Sequence, residues 1–115
     1  MLENNKHYVY RITNVKKNRY YVGKRSIPKK FKNRKPEEDL GKYYFSSSNN
    51  KGIIKNQKEE PENWKYKIVK RFKTEEEALL FEIKYHWRLN VQKHRLFYNN
   101  ANQTKNGYFR DNMKN

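Results

Sequence analysis

The chain contains no cysteine. Disulfide staples and thiolate-bound zinc are therefore excluded, and with them every zinc-finger design. It has no apolar run approaching the ~20 residues that a membrane-spanning helix needs. Its opening, MLENNKHYVY, holds no apolar segment of the secretory kind. These absences predict a soluble, cytoplasmic chain with no membrane partner. Acidic residues are also scarce: 12 Asp and Glu stand against 28 Lys and Arg, a net charge of +16. An excess of that size repels itself in a compact state, so solubility alone does not account for it. A polyanion does. Each Lys or Arg that neutralises a phosphate releases a condensed counterion, which drives binding without reading sequence. A basic ribosomal or chaperone-like protein, or a chain with an acidic protein partner, would show the same imbalance; nucleic acid fits it better.

Hydrophobic residues are few, at 34% of the chain, but aromatics reach 16%. Large rings with polar edges can build a core from a small apolar complement. At 115 residues, the expectation is one domain over 1–115, with a core over about 7–100.

Periodicity supplies the elements. HYVYRIT (7–13) alternates Tyr8, Tyr10 and Ile12 against Val9 and Arg11, which predicts a strand. NVKKN is turn-like, and RYYVG (19–23) is a second strand ending at Gly23, so the pair forms an antiparallel hairpin. From Lys24 to Gly41 the chain reads as a basic loop, either a mobile segment that would order on a phosphate backbone or a merely solvated one. A Ser/Asn cluster follows KYYF and is expected to cap a short helix over 51–59, bounded by Pro61. WKYKIVKRF (64–72) alternates as a third strand. Thr74 and Glu77 fit a capping box, opening a helix that runs to about Leu89. A short extended piece is expected near Leu96–Tyr98, and the polar tail from 102 to 115 is expected to fray.

Two triplets carry the chemistry. Tyr8-Val9-Tyr10 and Tyr21-Val22-Gly23 place Tyr10 and Tyr21 eleven positions apart (21 − 10), in the contexts YVYRITN and RYYVGK. Glu82 sits in the late helix ahead of Tyr85, His86 and Trp87, and Tyr98-Asn99 follows downstream. With the YFSSS segment, this order resembles the GIY-YIG endonuclease superfamily, as found in phage and intron-encoded homing-type members. The resemblance covers roughly residues 7–100 and departs at Tyr8, where the family has Gly. It implies an α/β (α+β) domain: a small three-stranded antiparallel sheet flanked by helices. It also implies a Mg²⁺- or Mn²⁺-dependent endonuclease acting on double-stranded DNA, with Tyr10, Tyr21, Arg25, Glu82 and Asn99 as catalytic residues and Glu82 as the metal ligand.

The residue types suit that chemistry. Phosphodiester hydrolysis needs an activated water, a cation at the phosphate and help for the leaving oxygen. A hard cation accepts a single carboxylate and keeps its waters. On a helical wheel of about 100° per residue, Glu82 lies between Leu79 and Leu89, where an unpaired carboxylate would cost stability. Tyr10 and Tyr21 are candidates to orient or deprotonate water, with Lys24 and Arg25 as the cations that would lower a phenol's pKa. Arg25 is the first candidate for clamping the phosphate, with Lys51 and Lys55 as alternatives. Asn99 would hold geometry by hydrogen bonding, or is a plain turn residue. Glu82 and His86, four apart, could share a metal, yet three His in the chain do not readily complete a zinc site.

Lys24, Lys29, Lys30, Lys32, Arg34, Lys51, Lys55, Lys93 and Arg95 are the expected nucleic-acid contacts. Loop cations mostly grip phosphates, which position without specifying, so low sequence specificity is expected unless a second copy or a specificity partner supplies it. The rival reading is a module of the same fold that binds nucleic acid without cutting it; an RNA-binding protein of unrelated fold is a third.

Overall fold

The computed structural model describes residues 5–46 and 51–110. Three strands form one antiparallel sheet in the order β2-β1-β3: β1 (His7–Asn14), β2 (Arg19–Ser26) and β3 (Trp64–Phe72). Helices α1 (Pro36–Asp39), α2 (Lys51–Glu59) and α3 (Glu75–Leu89) accompany it. The three-stranded α/β architecture read from the sequence is the one observed. The capping residues expected before α2 fall at 47–50, outside the described residues.

Alternation along β1 creates two cores. Tyr8, Tyr10 and Ile12 join Tyr21, Ile27, Leu40, Ile53 and Trp64 on one face. Val9 and Val22 join Val91 and Phe97 on the other, packed by Phe81, Tyr85 and Leu89 of α3. The tyrosine face carries α2 through Asn56, which accepts from the Trp64 indole at 2.9 Å, and Gln57, which accepts from Tyr66 at 2.9 Å.

α3 opens as its capping box dictates. Thr74 Oγ1 accepts from the Glu77 amide at 3.2 Å, and Glu77 accepts from the Thr74 amide at 3.3 Å. It ends where Asn90 turns left-handed at φ 48°. Its fully buried stripe is Ala78, Glu82 and His86, one residue every turn, so two polar side chains face inward where an amphipathic helix would place apolar ones.

Three sequence expectations need correction. β2 does not stop at Gly23 but continues to Ser26. Gly23 pairs with Tyr10 across the sheet, and a Cβ there would lie 2.6 Å from Tyr10 Cζ. The glycine admits a ring; it does not make a turn.

The segment 24–41 is not loop throughout: it begins within β2, holds the turn of α1 and is tied to the sheet. Asp39 is fully buried and accepts from Tyr8 Oη (2.8 Å), Arg25 Nε (3.0 Å) and Arg34 Nη1 (3.2 Å). The Arg34 guanidinium lies 3.8 Å from the ring centres of both Phe31 and Tyr43, and Lys6 donates to the carbonyls of Phe31, Lys32 and Arg34. A buried carboxylate with three partners organises the whole segment, a long-range effect that local composition does not reveal.

The tail does not fray from 102. Asn102–Thr104 (β4) and Gly107–Phe109 (β5) form a hairpin whose turn uses Gly107 at φ 110°; residues 111–115 lie outside the described residues.

Candidate active site

The site forms where the edge of β2 meets α3. β2 is an outer strand, and its free edge is closed by the stretch after α3. Tyr20 N donates to Leu96 O at 2.8 Å and Tyr98 N to Tyr20 O at 2.7 Å, the extended piece expected near Leu96–Tyr98. One residue on, Asn99 takes over from backbone. Its Oδ1 accepts from Val22 N (3.0 Å) and its Nδ2 donates to Val22 O (2.8 Å), so a side-chain amide completes the ladder. Asn99 is thus a fixing residue for the Tyr21-Val22-Gly23 segment, buried and engaged on both sides.

His86 fixes the same segment from below. Its Nδ1 accepts from the Gln103 amide at 3.0 Å, so its Nε2 carries the hydrogen and donates to Val22 O at 3.1 Å. Burial lowers its pKa to about 4, which keeps it neutral near pH 7. Both ring nitrogens are committed, which removes His86 as a metal ligand.

Glu82 lies one turn earlier and is 1% exposed. Its Oε1 accepts from Gln103 Nε2 at 3.1 Å. Its Oε2 is buried without a hydrogen-bond partner among the described residues. The His86 Nε2 stands 3.5 Å away, but that N–H serves Val22 and carries no net charge. Burial raises the Glu82 carboxyl to about 7, opposed by the Gln103 bond and the charge of Lys24. A fully buried carboxylate oxygen with no donor is costly unless a proton neutralises it or a cation completes it. Among the described residues no group of three or more His, Asp or Glu encloses a cation, so what Glu82 can offer is a single-carboxylate site.

The tyrosines approach from the other face. Tyr10 and Tyr21 have ring centres 6.3 Å apart, and the Tyr10 and Tyr44 hydroxyls are 3.3 Å apart. Burial pushes the Tyr21 phenol far above its ordinary value, reinforced by Tyr108, Tyr44 and Glu82 and opposed by a side-chain hydrogen bond with Ser46. This reverses the expected lowering by Lys24 and Arg25. Those cations sit elsewhere: Lys24 bridges Glu75 at 3.2 Å, and Arg25 bridges Asp39 while its guanidinium stacks on Tyr44 at 4.3 Å.

β1 and β2 carry Tyr10, Tyr21, Lys24 and Arg25, Asn99 is bound to β2, and Glu82 on α3 lies close enough to act on the Tyr21 phenol and to feel the charge of Lys24. Arg34 is tied inside the Asp39 cluster. Lys29, Lys30, Lys32, Lys51, Lys55, Lys93 and Arg95 are exposed, with Lys55 beside Glu59 at 3.9 Å. Sequence reading missed Tyr44, Asp39, Gln103 and Tyr108. YFSSS was a signal for the first; nothing local marked the others. At Tyr8, where the family has Gly, the phenol serves as a donor to Asp39.

The antiparallel hairpin that carries the Tyr8-Val9-Tyr10 and Tyr21-Val22-Gly23 triplets, with helices packed on its sheet, is a domain of the GIY-YIG kind. The chain matches the family model described as "Putative endonuclease segE, GIY-YIG domain" over residues 1–103 and belongs to that family. Its substrate is accordingly a nucleic acid. No curated protein and no solved structure matches it. Among the described residues, no helix is long and apolar enough to cross a membrane.

Proposed function

We propose that the chain, acting as a single domain, is a Mg²⁺-dependent endonuclease that hydrolyses double-stranded DNA with low sequence specificity. One observation carries the reading: the buried Glu82 Oε2, unpartnered and turned away from Gln103. Glu82 would hold the ion (Mn²⁺ serving equally), and a divalent ion bound there supplies Lewis-acid stabilisation of the phosphate's developing charge. Tyr21, protonated across the neutral range, orients water or a phosphate oxygen by hydrogen bonding; it does not act as a free base. Tyr10, fully buried, is held against Tyr44 and acts through it by positioning the Tyr44 hydroxyl. Arg25, fixed by Asp39 and Tyr44, presents a preorganised guanidinium to phosphate. Asn99 keeps the β2 edge in register. The exposed lysines supply sequence-independent affinity, and a phage or mobile-element setting inside the host cell suits a chain that grips phosphates and reads few bases. A specificity partner or second copy would be needed for a longer site.

The test is supercoiled plasmid with and without Mg²⁺, for the parent and Glu82→Gln. The parent should nick and linearise DNA only with the ion. The variant should lose cleavage while keeping its DNA affinity. Parent-rate cleavage by Glu82→Gln removes the assignment. Binding without cleavage by the parent favours the non-catalytic module.

A further inference from the structure

β5 lies beyond the span matched to the family, and Gln103 is the last residue within it. Yet Gln103 is the best-connected side chain near Glu82. Its main chain is held at both ends: N donates to His86 Nδ1 (3.0 Å), and O accepts from the Trp87 indole (2.8 Å). Its side-chain Oε1 accepts from Thr104 N at 3.2 Å, which fixes the amide orientation and aims Nε2 at Glu82. Opposite it in the hairpin, Tyr108 also meets this amide and lies in the field of Glu82. The preceding residue is anchored too. Asn102 accepts from Gln92 N (3.0 Å) and donates to Asn90 Oδ1 (3.1 Å), tying β4 to the end of α3.

From these contacts we infer that Gln103 is the positioning residue for the Glu82 carboxylate, and that the β4–β5 hairpin is a working part of the active site. A carboxylate on a helix can rotate about its last bond. An amide locked on both sides holds one oxygen and leaves the other turned to the ion. Groups that orient a metal ligand in this way typically carry 10–100-fold in metal affinity or activity. The inference rests on Glu82 being the metal ligand.

Two variants separate this role from simple docking of the hairpin. Gln103→Met keeps the length and the bonds made by the residue 103 main chain but removes the amide, and with it the contacts to Glu82, Thr104 N and Tyr108. Trp87→Phe removes the indole bond to Gln103 O and leaves the amide in place. Mn²⁺ binding to each protein on a DNA duplex is followed by the loss of the free-ion paramagnetic resonance signal; metal-free thermal unfolding and metal-free DNA affinity are measured alongside. Gln103→Met should need about tenfold more Mn²⁺ for half-saturation, with DNA affinity retained. Trp87→Phe should melt earlier but bind Mn²⁺ like the parent. Parent-like Mn²⁺ affinity in Gln103→Met overturns the inference, as does an equal loss in Trp87→Phe. If Glu82→Gln loses the ion while Gln103→Met does not, the nuclease reading stands and only the role of Gln103 falls. If Glu82→Gln itself binds Mn²⁺ like the parent, both fall.

Discussion

Replacing Glu82 with Gln should make the metal-free protein more stable, and by an amount that depends on pH. The folded carboxyl titrates near 7 against an ordinary 4.5. Between those values the folded chain retains a proton that the unfolded chain has released, so stability falls as the pH rises through this window and stays low above it. At ~1.4 kcal/mol per pH unit, the loss by about pH 8 is roughly 3 kcal/mol. A neutral Gln escapes it, though its new N–H must find a partner, so a gain of ~1–3 kcal/mol is expected at pH 8. His86 acts with the opposite sign. Its folded pKa lies near 4 against 6.5, so its contribution is present above 6.5 and lost as the pH falls toward 4. In the parent the two slopes oppose each other between about 4.5 and 6.5. In Glu82→Gln the imidazole slope should stand alone. Urea unfolding in EDTA, from pH 4.5 to 8, measures both effects. A variant no more stable than the parent at pH 8, or a gap that fails to narrow toward pH 4.5, would refute the reasoning. Adding Mn²⁺ should raise the stability of the parent and leave the variant unmoved.

Gly23→Ala should destabilise the fold by ~1–3 kcal/mol in urea unfolding and slow cleavage, because the new methyl displaces the Tyr10 ring. Asp39→Asn should cost ~3–5 kcal/mol by leaving Arg25 and Arg34 without their buried counter-charge, and protease cleavage within 24–41 should accelerate.

Much of the architecture was legible because its signals are local. The alternation of 64–72 and the Thr74–Glu77 box fix β3 and α3 without reference to the rest of the chain. Glu82 was legible through its place after the two triplets and ahead of Tyr85, His86 and Trp87; between Leu79 and Leu89 alone it would have read as a surface acid paired with a lysine. The remainder depends on partners distant in sequence. Asp39 looks like a surface acid until Tyr8, 31 residues away, is seen to bond it. Asn102 and Gln103 look like frayed tail until Asn90 and His86 are placed beside them. The direction of the Tyr21 shift depended on whether burial or nearby cations dominate. Lys24 and Arg25 sit close in sequence, but Glu75 and Asp39 already engage them.

The closure of the β2 edge by Asn99 bears on self-association. A three-stranded sheet has two outer edges, and each could accept a strand from another molecule. At β2 the Leu96–Asn99 stretch occupies that position with backbone and amide bonds. At β3 no strand among the described residues does so, but Lys65, Lys67, Lys70 and Arg71 stand exposed along it. Strand addition there would bring two such rows together. Like charge along that edge opposes edge-to-edge pairing of two copies, and a bound polyanion would screen that repulsion.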